Sequence, residues 1–183
     1  MRVYEAITSV GYQFFNTDGG LENSEKIDDR DFSEEEKIFF TKGIEPNRKM
    51  LGDIAEINGN ISLVFSAKAK SVFSAAGDFF KFTNLEDFEL LIAKTIDALD
   101  YERSEVDYFD DEKTEISSID KYIFKDDLLY GVEAFSLPIK AEATFLTEKF
   151  VEKYKANNLT GIEFFCVYDS ENPANVGKFI QEM

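Results

Sequence analysis

The stretch Thr144–Val167, TFLTEKFVEKYKANNLTGIEFFCV, passes through three kinds of local order in succession. Ala143 to Leu146 has strand composition, and Thr147 stands where a helix would be capped. Phe150, Val151 and Tyr154 then recur along one stripe of a helix expected over 148–157. Asn157 and Asn158 can close that helix, and Gly161 permits a tight turn at positive φ before a second, aromatic strand over 162–168. Asn158-Leu-Thr160 is formally a glycosylation triplet, but the opening MRVYEA lacks the apolar core of an export signal, so no glycan is expected there or at Asn60.

The same order occurs earlier, in VFSAKAKSVFSAAGDFFKF over 64–82. Ser62 to Phe65 reads as a strand, Ser66 as a cap, Ala67 to Ala76 as a helix stopped by Gly77, and Phe79 to Phe82 as a strand. Lys68 aligns with Lys149 and Phe73 with Tyr154, with a small insertion before the glycine. Two copies are too few for a solenoid, so the alternatives are accidental similarity and two pseudo-repeated strand–helix–strand units. The expected fold is α+β, a mixed or antiparallel sheet with packed helices, in one domain over 1–183 with its core in 61–183.

Around these units the reading is coarser. Residues 3–16 suit one or two strands, Phe39 to Thr41 a short strand, and Asp53 to Asn60 a strand with a turn at Asn58-Gly59. The polar stretch 17–37 reads as an acidic loop with a short helix capped by Ser33. Thr83 and Glu86 have capping-box spacing before an expected amphipathic helix whose face is Leu85, Phe88, Leu91, Ile92, Ile96 and Leu99. Residues 101–115 read as an acidic turn region, 122–124 and 128–132 as strands, and Asn172-Pro173 as the start of an amphipathic tail.

Composition narrows function more than fold. The 183 residues carry 37 acidic against 20 basic side chains, a net charge of −17, well past the roughly 2–8 that suffices for solubility. Such a surface repels nucleic acid and anionic membranes and attracts cationic partners, unless the acidity serves solubility alone. Histidine is absent, which removes the commonest general base and the commonest zinc ligand. The single cysteine, Cys166, lies in the apolar run Phe164 to Val167 and reads as a buried small hydrophobe, not a nucleophile. One free cysteine and no apolar run of membrane-spanning length suit a cytoplasmic protein.

No motif carries chemistry through this filter. Asp107, Asp110, Asp111 and Glu112 lack the alternate ligand positions and central glycine of a calcium loop. Ser118-Ile-Asp-Lys121 has the spacing of a serine–lysine pair without its companion motifs, and Gly19-Gly20 has no lysine-bearing phosphate loop behind it. No cofactor and no metal site are expected. Acidic blocks in loops, interleaved with Tyr101, Tyr108, Phe109 and Tyr130, do have the composition of a charge-complementary interface with aromatic anchors. The candidate partner-binding residues are Tyr101, Asp107, Tyr108, Asp110, Asp111, Glu112, Asp126 and Asp127.

Residues 83–168 also carry a set of weak motifs in a moderately specific order. These are Leu99-Asp100 with Ser104 in an LD-x-x-x-S arrangement, Phe135-Ser136-Leu137, Phe145-Leu-Thr-Glu-Lys-Phe150, and Leu159-Thr-Gly-Ile162 entering a Phe-rich strand. In this order they resemble a family of bacterial immunity proteins of polymorphic toxin systems. Ser136 stands where an arginine is commoner in that family. The resemblance implies a non-catalytic cytoplasmic protein that binds and neutralises a cognate toxin domain, the partner's surface being basic to suit the −17 charge. A carboxylate-dependent hydrolase and an oligomeric scaffold remain the alternatives.

Overall fold

Strand β1 (Arg2–Thr8) lies between two strands from the far end of the chain, β11 (Lys140–Thr147) and β12 (Ile162–Asp169), antiparallel to both. Val3 pairs with Thr147 on one side and with Tyr168 on the other. The computed structural model describes residues 1–18, 26, 38–42, 50–57, 60–85, 87–109 and 116–180. The expected Ser33-capped helix and the Asn58-Gly59 turn lie outside those residues.

The remaining strands are β2 (Phe15–Asp18), β3 (Phe39–Lys42), β4 (Ile54–Ile57), β5 (Asn60–Ser66), β6 (Gly77–Phe80), β7 (Phe88–Thr95), β8 (Glu105–Tyr108), β9 (Ile116–Lys121) and β10 (Ala134–Leu137). Among the described residues the main sheet has ten strands in the order β12-β1-β11-β10-β7-β5-β4-β2-β3, with β6 also paired to β7; β8 and β9 form a separate hairpin. Most pairs are antiparallel, but β10–β7 and β2–β4 are parallel, so the sheet is mixed. Among the described residues the α-helices are α1 (Ala67–Val72) and α2 (Glu148–Ala156), so the architecture is mostly sheet, a looser case of α+β than the sequence suggests.

The two strand–helix–strand stretches share a pairing pattern. β5 and β6 both pair antiparallel with β7, and β11 and β12 both pair antiparallel with β1. The helices meet through Phe73 and Phe150, whose rings stack with centroids 3.9 Å apart and planes 7° from parallel. Phe65, Phe164 and Tyr154 complete that aromatic cluster edge-on. A second cluster gathers Phe124, Phe135, Phe145 and Tyr168, and a third Phe15, Phe82 and Phe88. With tryptophan absent, these rings supply the large apolar surfaces of the core.

Several elements differ from the sequence expectation. The stretch with apparent helical period over 85–99 is the strand β7, buried at Phe88, Leu90, Leu91 and Ala93. Phe88 and Leu90 on one face enter one core cluster and Leu91 and Ala93 on the other enter a second, and a strand covered on both faces shows an apolar run without period two, which can mimic a helical stripe. Helix α1 stops at Val72, not Ala76, because Phe73 leaves the helix to stack on Phe150, and Gly77 opens β6. A Cβ on Gly77 would lie 2.3 Å from the Ile92 carbonyl oxygen, so glycine permits that close pairing.

Residues 105–108 are a strand, not part of a turn, with Glu105 and Asp107 outward and Val106 and Tyr108 half-buried. The expected strand over 128–132 is replaced by a 3-10 turn, Asp126–Leu129, with two acidic residues in its first turn, followed by Gly131 at φ +77°. Over 122–124 only Phe124 bridges, to Leu99. Thr147 occupies the helix N-cap position, but its hydroxyl donates to the Val132 carbonyl at 2.6 Å and accepts from no N–H of the helix.

Candidate functional site

The family-like motifs turn out to be internal ties. Asp100 donates its N–H to the Ile123 carbonyl at 2.8 Å and accepts from the N–H groups of Arg103 and Ser104. The Ser104 hydroxyl accepts from the Ile123 N–H at 3.0 Å and reaches the Ile123 carbonyl at 3.3 Å. Leu99, Asp100 and Ser104 therefore fasten the 99–104 turn to the 122–124 segment, closing the base of the β8–β9 hairpin. Ser136 is fully buried and its hydroxyl sits 3.2 Å from that of Thr95, a contact that a larger guanidinium side chain at this position would displace.

Leu159-Thr-Gly-Ile162 works similarly. Leu159 and Ile162 enter the core, while the Thr160 N–H and hydroxyl both donate to Asp53 Oδ2 at 3.0 and 3.1 Å. Lys68 pairs with the same Asp53 oxygen at 3.1 Å and donates to the Asn158 carbonyl at 3.3 Å. Gly161, at φ +115°, passes against Gly52 and Ile54. The loop joins the early strands to the late ones and exposes no group for chemistry.

The acidic candidates fall around the hairpin. Tyr101 is exposed in the turn before β8, its hydroxyl 3.3 Å from Asp97 Oδ1. Burial, then the Asp97 carboxylate, pushes its phenol up to about 12. Asp107 is exposed and Tyr108 half-buried on β8; Asp110, Asp111 and Glu112 lie outside the described residues. Asp126 accepts from the Tyr168 hydroxyl at 2.9 Å and is half-buried, whereas Asp127 is exposed. Burial and Asp126 push the Tyr168 phenol up to about 12 as well. The fold thus puts Tyr101 and Asp126 on two segments joined at the hairpin base and carries Asp107 and Tyr108 out along its arm.

Two clefts carry residues that sequence reasoning passed over. One, of about 550 Å³, is lined by Glu5, Asp120, Tyr122 and Lys140. Burial raises the Glu5 carboxyl, and the Lys140 ammonium 3.8 Å away opposes that rise. The other, of about 660 Å³, lies between the turn after α1, the end of β7 and residues 128–134. It is lined by Glu133, a side chain only its position in the fold marks out, since nothing local in VEAF distinguishes it. In the hairpin, Ser118 bonds Asp120 and Lys121 pairs with Glu105, so the two members of the serine–lysine spacing face different partners. Among the described residues no group of three or more Cys, Asp or Glu side chains is placed to hold a metal ion. No helix among them is long and apolar enough to cross a membrane.

Residues 88–169, from β7 through β12, match the model of an immunity protein family (Imm11). No curated protein matches the chain. The matched span holds the Leu99–Ser104, Phe135–Leu137, Phe145–Phe150 and Leu159–Ile162 ties, but not β1, which fills the place between β11 and β12.

Proposed function

We propose that this protein is an immunity protein that binds a cognate toxin domain in the cytoplasm and blocks it without catalysis. The match of residues 88–169 to an immunity family carries the reading, because such a family implies a toxin partner. The acidic surface is the proposed means of recognition. Exposed Asp107 and Asp127, with Tyr101, Tyr108 and Asp126 beside them and Asp110, Asp111 and Glu112 following in the chain, would meet a basic groove of the toxin and occlude it. A net charge of −17 supports fast, salt-sensitive encounter with such a surface. The same reading takes the chain as one domain in which β5-α1-β6 and β11-α2-β12 are repeated units around β7 and β1.

The test is co-expression with the toxin domain encoded by the neighbouring reading frame, followed by stopped-flow association. Growth rescue and an association rate that falls steeply with ionic strength are expected. Asp107→Lys combined with Asp127→Lys should slow association about tenfold at low salt. No rescue rejects the function, and a flat salt profile rejects the electrostatic mechanism alone.

A further inference from the structure

The 660 Å³ cleft between the end of β7 and residues 128–134 has the construction of a second contact site, built differently from the acidic hairpin. Its rim is apolar and open: Tyr130 is 90% exposed and Leu128 is 45% exposed, on a tight turn completed by Gly131. Large apolar side chains held out on an ordered turn lose little freedom when a partner covers them, the setting in which aromatic anchors dominate binding.

Inside the cleft, Glu133 is only 3% exposed. One carboxylate oxygen, Oε1, pairs with Lys149 at 3.0 Å and Lys153 at 2.7 Å. The other, Oε2, is buried and accepts no hydrogen bond among the described residues. A buried acceptor left unmatched is costly, and more so on an ionised group. Lys149, which also donates to the Gly131 carbonyl at 2.9 Å, keeps its ammonium near the surface on a long flexible stem, so its rotation can uncover the carboxylate.

The charges indicate which donor belongs there. Lys94 and Lys149 line the cleft together with Asp97 and Glu133, a balanced set on a molecule that is otherwise strongly acidic. Two ammonium groups already flank Glu133, so a third cation at Oε2 would meet like charge. A neutral N–H or O–H meets none.

We propose that this cleft receives a loop of the toxin, whose apolar side chain seats against Leu128, Tyr130 and Val132 while an uncharged donor of the same loop bonds Glu133 Oε2. The proposal rests on the immunity reading and adds a neutral anchoring site to its acidic encounter surface. The cleft would then govern how long the complex lasts, and the hairpin acids how fast it forms.

Binding of the catalytically inactivated toxin domain from the neighbouring reading frame, followed by surface-immobilised kinetics across a salt series, tests this. Tyr130→Ala should weaken Kd by about 30-fold or more, through koff, and Leu128→Ser by about tenfold. Both sites are exposed, so neither variant threatens the fold. Glu133→Gln, with folding checked by thermal unfolding, should weaken Kd about tenfold and leave the salt dependence of kon unchanged. Wild-type-like binding by both Tyr130→Ala and Leu128→Ser overturns the cleft while leaving the immunity reading intact. A shallower salt dependence in Glu133→Gln overturns the neutral donor. Failure of the wild-type chain to bind overturns the immunity reading and this inference with it.

Discussion

Gly161 passes so close to β4 that a Cβ built on it would lie 2.0 Å from the Ile54 carbonyl oxygen, and its φ of +115° is one that other residues rarely adopt. Two independent penalties therefore fall on one position, and the neighbouring atom is backbone, which cannot step aside. Gly161→Ala should cost about 3 kcal/mol or more, read by urea denaturation; a loss below about 1 kcal/mol would mean that the crossing relaxes. Tyr154 makes a second residue-scale case. Its hydroxyl donates to the Ile162 carbonyl at 3.1 Å, and burial, the larger effect, pushes the phenol up to about 12. A raised folded-state value favours the protonated form, so its contribution is complete below about pH 10, the unfolded value, and is lost as pH rises towards 12. Tyr154→Phe should accordingly flatten the decline in stability over that alkaline window, by on the order of 2 kcal/mol, in unfolding curves taken at successive pH values.

Helices α1 and α2 meet through the stacked Phe73–Phe150 pair and through Lys153, which donates to the Val72 carbonyl at 3.4 Å. Neither is long enough to be stable alone, and α1 has six residues. Phe150→Ala would remove the ring that Phe73 and Phe65 pack against and leave a cavity under both helices. The expected cost is about 3–5 kcal/mol, with amide exchange rising in α1 as well as α2. Protection of α1 that survives the substitution would show that the helices are held separately. Both helices were legible because a hydroxyl precedes each and apolar residues follow at helical spacing. Strand β7 was not, since Phe88 and Leu90 enter one core cluster while Leu91 and Ala93 enter another, and burial of both faces erases the alternation that marks a strand. The β8 strand was hidden for the opposite reason, its outward Glu105 and Asp107 making a real alternation look like a charged loop.

Across the whole molecule, charge and fold answer different questions. The excess of acid was plain from composition and bears on partners, whereas the placement of Asp107 on an arm and Asp126 at a base required the hairpin to be seen. The family-like motifs were legible as motifs, but Asp100, Ser104, Thr160 and Gly161 prove to be fasteners between segments. Glu133 left no trace in the sequence, because its isolation arises only where α2 supplies Lys149 and Lys153 to one of its oxygens. The separation proposed between encounter and anchoring predicts that the Asp107→Lys, Asp127→Lys pair and Tyr130→Ala add in binding free energy, their fold-changes multiplying in Kd, one through kon and the other through koff.

The place of β1 between β11 and β12 also has a bearing on synthesis. Val3 is made before Thr147 and Tyr168 and cannot pair until they follow, about ten seconds or more later at ordinary rates of translation. For that interval the first strand has both edges open and its apolar side chains uncovered. The sheet around β1 is therefore completed only after both late strands, β11 and β12, have been made.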